Sequence, residues 1–433
     1  MSARRGSLTL TRLFVRGKPP TDVRKPFLAA IRLRAFQPLD PDGEASESSG
    51  WCVLDRPFDL EFESDKVFED RFVLLGFRTD RFRVPPAMVR AQLADEQARL
   101  LSRLNRDRLS RNERLELKDK IVLRLRKKLA PATRSTDVVW DLDGGVVLFF
   151  SHSRRGIADF TAHFERTFKL ELEEDSPYLA AVRADLPRAL LRELDRVEPS
   201  RILAPAKVEP RHAREQDQPE SEEELDEEEL DEEAAGEEIE QDEALQRIET
   251  TRFLGPEFLL WIWIRGELTT ASVQLGDDDV DVWLDRQIAF ESPIDKNERV
   301  SVRGMAPADC EEAREAVAAG KLPVVSQIVL RGTSREFVCG LNAPRFGIAG
   351  AKVPVVLKED PGEAFVDRMA LCEDLFQVLD GLYRAFLEVR LSEVWSSGWA
   401  PAIAAWAKGE SAPTSVLQRI APEKRGKRRR DRP

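Results

Sequence analysis

Apolar and polar residues alternate with a period of two over residues 8–16, LTLTRLFVR, which predicts a strand. Residues 23–33 read as a short helix, and a turn-rich run, DPDGEASESSG, then delivers the chain to Trp51. Residues 58–62, 68–78 and 81–84 have strand composition, the last two joined through Thr79 and Asp80. From residue 86 to 129 there is no glycine and the apolar spacing becomes helical. Pro85-Pro86 opens a first helix, whose apolar stripe is expected to be Met88, Ala91, Ala94, Ala98 and Leu101. Ser110 with Glu113 forms a capping box for a second helix, running to Leu129. Two long helices with so short a break predict an antiparallel αα-hairpin.

Strands at 138–140 and 146–150 flank the turn Asp141-Leu142-Asp143-Gly144-Gly145, and residues 158–168 and 186–194 look helical. The apolar run FLLWIWI, 258–264, reads as a short buried helix entered at Pro256 and Glu257, with a buried strand as the close alternative. Strands follow at 272–275, 280–284 and 299–303, then a helix over 307–319 stopped by Gly320. Further strands at 324–330, 336–341 and 347–348 precede a long amphipathic helix over 363–391. Phe365, Met369, Cys372, Phe376, Leu379, Tyr383 and Phe386 recur along it at helical spacing. The fold class expected is α+β, strand meanders with segregated helices, without the βαβ alternation of a nucleotide-binding parallel sheet. Five parts are expected: residues 1–85 with 131–200 as an N-terminal α+β domain, 86–130 as the hairpin, 201–250 as a linker, 251–398 as a second α+β domain, and 399–433 as a flexible tail.

Charge changes this picture. The 433 residues carry a net charge of -12, but 18 carboxylates and no Lys or Arg lie between residues 215 and 243. Without that block the remainder is near +6, and the run KRGKRRRDR at 424–432 is itself strongly basic. A segment so acidic cannot bury enough apolar surface to offset its ordering entropy, so the linker is expected to be disordered. A basic body with its own internal acidic block is the charge pattern of a polyanion binder carrying a competitor.

Other function classes find little support. No run approaches the eighteen apolar residues of a membrane span, and the N-terminus lacks the apolar core of a signal peptide, which points to a cytoplasmic protein. Cys52, Cys310, Cys339 and Cys372 are far apart and only three histidines are present, so neither a zinc site nor a disulfide framework is expected. Gly320-Lys321 lacks the upstream glycine and the Ser or Thr of a phosphate-binding loop. Asp141 and Asp143 could seed a metal-dependent nuclease, but two carboxylates two apart in a Gly-rich turn are ordinary turn chemistry. The same holds for Asp277-Asp278-Asp279, and His152 has no Cys or Asp partner nearby in sequence. No catalytic residue, metal or cofactor is expected. The aromatic group Phe253, Phe258, Trp261 and Trp263 reads as core.

The order of several local motifs resembles the RdgC family of bacterial recombination-associated proteins. They are the strand LTRLFVR, Phe36-x-Pro38 ahead of Gly50-Trp51, and Val84-Pro85-Pro86 leading into a charged helical hairpin. That hairpin contains Leu117-Lys118-Asp119 and ends at Leu129-x-Pro131. Trp140-Asp141 with Gly144-Gly145, Ala319-Gly320-Lys321 and the closing helix from Phe365 continue the likeness over about three quarters of the chain. The resemblance implies a homodimer closed into a ring around duplex DNA, bound with little sequence preference. It further implies restraint of a RecA-type recombinase and association with the nucleoid. In that family the hairpin is the protruding tip that closes the ring. This chain departs from the pattern: the family follows the hairpin with Pro-Arg-Ala-Phe, whereas here Pro131 is followed by Ala132-Thr133-Arg134. The acidic insertion and the basic tail are also foreign to shorter members.

The expected DNA-binding residues are the bases of the hairpin and its exit: Arg103, Arg106, Arg108, Arg111, Arg114, Lys118, Arg124, Lys127, Lys128 and Arg134. Non-specific DNA binding needs cations spread along a rigid element, because each neutralised phosphate releases counterions without reading a base. Arg154 and Arg155 are weaker candidates. The competing classes are the nuclease above and a scaffold whose acidic block recruits a basic protein.

Overall fold

The computed structural model describes residues 3–20, 22–43, 45–200, 202–203, 246–276, 278–295, 297–304, 306–356 and 358–420. The acidic block and the 424–432 run lie outside the described residues, as does most of the expected linker; its last residues, 246–250, are helical rather than disordered, with Arg247 paired to Asp195 at 2.7 Å. Helices and strands are mixed, and the paired strands within each of two compact units are antiparallel. One unit is Met1–Gly6 with Leu10–Glu174, and the other is Ser7–Thr9 with Asp175–Pro433. Among the described residues no helix is long and apolar enough to cross a membrane.

In the first unit, strands β1 (Leu8–Arg16), β6 (Val146–Phe149), β5 (Ala132–Asp141), β4 (Phe72–Arg81) and β2 (Glu47–Cys52) lie side by side in that order. Strand β3 (Phe68–Glu69) pairs with β4, and β7 (Glu171–Glu174) with the end of β1. Helices α1 (Arg24–Leu33) and α5 (Arg154–Phe168) contribute Phe27, Ile31, Phe160, Phe164 and Phe168 to a core. Alternate residues of β4 and β5, namely Val73, Leu75, Phe77, Val138 and Trp140, face that core, as a pleat of period two requires. Phe27 stacks on Trp140 at 5.2 Å and Phe149 on Phe160 at 4.5 Å. The Gly50-Trp51 pair has a steric reason: a Cβ at residue 50 would meet the Phe36 backbone at 2.5 Å, while Trp51 is fully buried.

Several expectations are corrected here. Residues 58–62 form no strand; Pro57 removes a backbone donor, Asp59 accepts from the Glu61 N–H in a local turn, and Phe58 is 75% exposed. The Thr79-Asp80 break does not exist: β4 runs unbroken to Arg81, because the Asp80 carboxylate is held by Arg78 at 2.6 and 2.8 Å. Strand β2 falls where composition predicted only turn. Its polar Glu-Ser-Ser stretch is strand because β4 offers a full ladder, from Glu47 opposite Arg81 to Cys52 opposite Gly76.

The second unit has β10 (Arg299–Arg303), β9 (Asp278–Glu291), β11 (Leu322–Arg331), β12 (Glu336–Asn342) and β13 (Gly347–Lys352) in that order, with β8 (Ser272–Leu275) beside β9. The FLLWIWI run is helical, within α8 (Leu254–Leu268), and every residue from Leu254 to Ile264 is buried. Gly255 lets this helix approach another backbone: a Cβ there would sit 2.0 Å from the Ala343 carbonyl oxygen. Helix α10 (Pro361–Arg390) packs Phe365, Met369, Cys372, Phe376, Leu379, Tyr383 and Phe386, all at the expected positions. Between them lies α9 (Glu311–Ala318), preceded by a 3-10 turn at Pro307–Asp309 and followed by Gly320 at φ 79°.

Two domain limits move. Asp175–Ser200, expected in the first domain, belongs with the second unit, where α6 (Pro177–Arg183) and α7 (Arg188–Leu194) lie. The Tyr383 hydroxyl donates to the Pro177 carbonyl at 2.9 Å, a contact between segments two hundred residues apart that local pattern cannot reveal. Residues 399–420, expected as flexible tail, carry helices α11 (Ala400–Ala407) and α12 (Thr414–Ile420), with Trp399, Ala402 and Ile403 buried.

Candidate nucleic-acid interface

Helices α3 (Pro86–Leu104) and α4 (Arg111–Arg126) are inserted between β4 and β5, whose last and first residues, Arg81 and Ala132, pair directly. The insertion therefore leaves and re-enters the sheet at one point. Pro85 at the N-cap and Pro86 at N1 start α3, and Asn105 ends it with a left-handed backbone at φ 49°. Both hydrogen bonds of the predicted capping box form: the Glu113 N–H donates to Ser110 Oγ at 3.2 Å, and the Ser110 N–H to Glu113 Oε2 at 2.7 Å. Those bonds, with Arg106, hold the Glu113 carboxyl well below its usual range, down to about 2.

Only Val89, Leu93, Ile121 and Leu125 are buried between the two helices, with Val84, Leu117, Val122 and Leu129 packed around them. The expected α3 stripe is thus not the packing face: Met88, Ala91, Ala94 and Ala98 are exposed, and Val89 and Leu93 are buried instead. Burying Val and Leu removes far more apolar area than burying Ala, so the larger side chains choose the packing face. No residue from Ala94 to Lys120 is buried.

All ten residues expected to meet DNA are exposed. Four have other engagements. Arg106 makes a bidentate pair with Glu113 at 2.9 and 3.3 Å, closing the 105–110 turn, and Arg124 ties to Glu96 on α3 at 3.1 Å. Lys127 pairs with Asp42, and Arg134, in the β5 ladder opposite Thr79, donates to Ser151 Oγ at 3.2 Å. The remaining six, Arg103, Arg108, Arg111, Arg114, Lys118 and Lys128, have no carboxylate within ion-pair distance among the described residues. Four of these, Arg103, Arg108, Arg111 and Arg114, lie at or within one helical turn of the 105–110 connection, and Arg111, Arg114 and Lys118 share one side of α4. The position of the family's aromatic, just after Pro131, lies at the base of the helix pair where β5 begins, far in sequence from that turn.

Sequence reasoning missed Arg90 on α3, which is exposed. It also missed Arg81, whose partner Glu47 belongs to the unforeseen strand β2 and also pairs with Arg155. The turn at Asp141 is structural: Asp141 Oδ1 accepts from the Asp143 and Gly144 N–H groups at 3.0 and 3.1 Å and pairs with Arg71. His152 Nε2 lies 2.9 Å from the Leu10 carbonyl oxygen. The four cysteines are unpaired, and among the described residues no three His, Cys, Asp or Glu side chains converge as metal ligands. No family model matches this chain, and no curated protein matches it.

Proposed function

We propose that this protein binds double-stranded DNA without sequence preference, as a homodimer, and modulates recombination by limiting recombinase access to the duplex it occupies. The observation that carries this reading is the set of six exposed cations on and beside α3 and α4 that have no carboxylate partner among the described residues. Cations neutralised within the protein cannot release counterions from DNA, whereas these six can. They sit on helices anchored at one end by a small apolar core, so their spacing is held while the surface around them stays open. The αα-hairpin as a ring-closing tip, the RecA-type partner and the nucleoid location rest on the resemblance to RdgC proteins. The reading assigns no catalytic step, metal or cofactor to the chain.

Fluorescence anisotropy of a labelled duplex, titrated at several salt concentrations with Mg²⁺ present, tests it. Binding should fall steeply with salt, be equal on unrelated sequences and leave the DNA intact. Replacing Arg111, Arg114 and Lys118 by Ala should reduce the slope of log K against log salt by about 2 to 3. Absence of binding at low salt would overturn the proposal, and Mg²⁺-dependent loss of the label would favour a nuclease.

A further inference from the structure

A cavity of about 300 Å³ opens in the second unit between the last turns of α8, strand β9 and the 3-10 turn at Pro307–Asp309. Its floor is apolar, with Leu284 buried and Trp263 only 3% exposed. Trp283 is a half-buried residue of the wall, and three acidic residues line the space: Glu267, Asp285 and Asp309. Among the described residues no Lys, Arg or His lines it.

The charges are unevenly compensated. Asp285 lies 3.6 Å from Arg286, whereas Glu267 and Asp309, both on the exposed rim, have no ion-pair partner among the described residues. Burial, reinforced by the Asp309 charge, raises the pKa of Glu267, as expected where negative charge gathers over an apolar surface. The Trp263 indole N–H is buried without an acceptor. The Trp283 ring is already taken up by the Arg331 guanidinium at 4.9 Å, so the indole left for the cavity floor is that of Trp263. A hard metal ion would need several oxygen ligands converging at short range, and no such group occurs among the described residues. Aromatic floor and anionic rim instead match a ligand that is itself apolar at one end and cationic at the other.

We propose that this cavity binds an organic cation, its apolar body on the indole-lined floor and its ammonium or guanidinium head between Glu267 and Asp309. The head could come from a free arylalkylamine or from a Lys or Arg side chain on a peptide. The site is independent of DNA binding. Calorimetric titration of the full chain with phenethylamine, 2-phenylethanol and acetyl-arginine amide separates the cases. One of the two cations should bind at least about tenfold more tightly than the neutral alcohol. Preference for phenethylamine supports a free amine, and preference for the arginine derivative supports a basic side chain. The double variant Glu267→Gln/Asp309→Asn, isosteric and on the exposed rim, should lose that binding about tenfold or more with unchanged thermal unfolding. Equal binding of the alcohol, undiminished binding by the double variant, or no binding of either cation would overturn the proposal.

Discussion

His163 packs against Trp51 at 4.9 Å and Phe77 at 5.4 Å, and burial pulls its pKa down to about 4. The unfolded chain would take up this proton near pH 6.5, so between about 6.5 and 4 it binds more protons than the folded protein does. The stabilising contribution is therefore complete above pH 6.5, decreases as pH falls towards 4, and then levels. Its size is on the order of 3 kcal/mol at most. Calorimetric Tm measured from pH 7 to 4 should fall less in His163→Phe than in the parent; identical slopes would remove His163 as the cause. A second buried group, Glu257, acts through an ion pair. Glu257 accepts from Arg390 Nε at 2.5 Å and from the Ser200 N–H at 2.7 Å, while Arg390 also donates to the Glu198 carbonyl. Glu257→Gln leaves the Arg390 charge buried and uncompensated, which should cost about 3 kcal/mol in urea unfolding. The sequence shows Glu257 only as an acid early in a helix; its partner 133 residues away is a matter of packing.

Among the elements, α3 and α4 were the most legible, because proline entry, capping box and absence of glycine are all local signals. Their packing face was not, since Ala-rich and Val/Leu positions compete for the same interface and only the facing Ile121 and Leu125 decide between them. The capping box should matter locally. Ser110→Ala should weaken the start of α4 by about 1 kcal/mol, seen as faster hydrogen exchange in residues 111–120 with the sheet unaffected. Equal acceleration in the sheet amides would instead show that the helix pair unfolds together with its unit. Strand β2 marks the opposite limit: a Ser- and Gly-rich segment has no pattern of its own and takes its conformation from β4. The α8 run was ambiguous for a related reason, since a segment buried on all sides lacks the amphipathic period that separates helix from strand.

For the whole molecule, electrostatics is set by segments of opposite sign. The 18 carboxylates between residues 215 and 243 outnumber the six cations of the helix pair that have no partner among the described residues, so this block should compete with DNA for them. Deleting 215–243 should tighten duplex binding several-fold at low salt, the difference shrinking as salt rises. Unchanged anisotropy curves would show that the block acts on something else, a basic protein being the natural alternative. Removing 424–432 should slow association more than it changes dissociation, because a basic tail mainly raises encounter rates; stopped-flow mixing at two salt concentrations separates the two.

The sequence by itself determined the mixed antiparallel architecture, most helices and their caps, the buried aromatic segments and the stretch of chain where positive charge gathers. These follow from periodicity, turn chemistry and composition, which act over a few residues. Tertiary structure alone decided which cations of the helix pair find partners among the described residues, because Glu96 and Asp42 reach theirs only across the fold. It also decided that residues 175–200 belong with the second unit, that 399–420 is helical rather than tail, and that Glu267, Asp285 and Asp309 share one aromatic cavity. Each is set by contact between segments distant in sequence, and such contacts leave no local period along the chain.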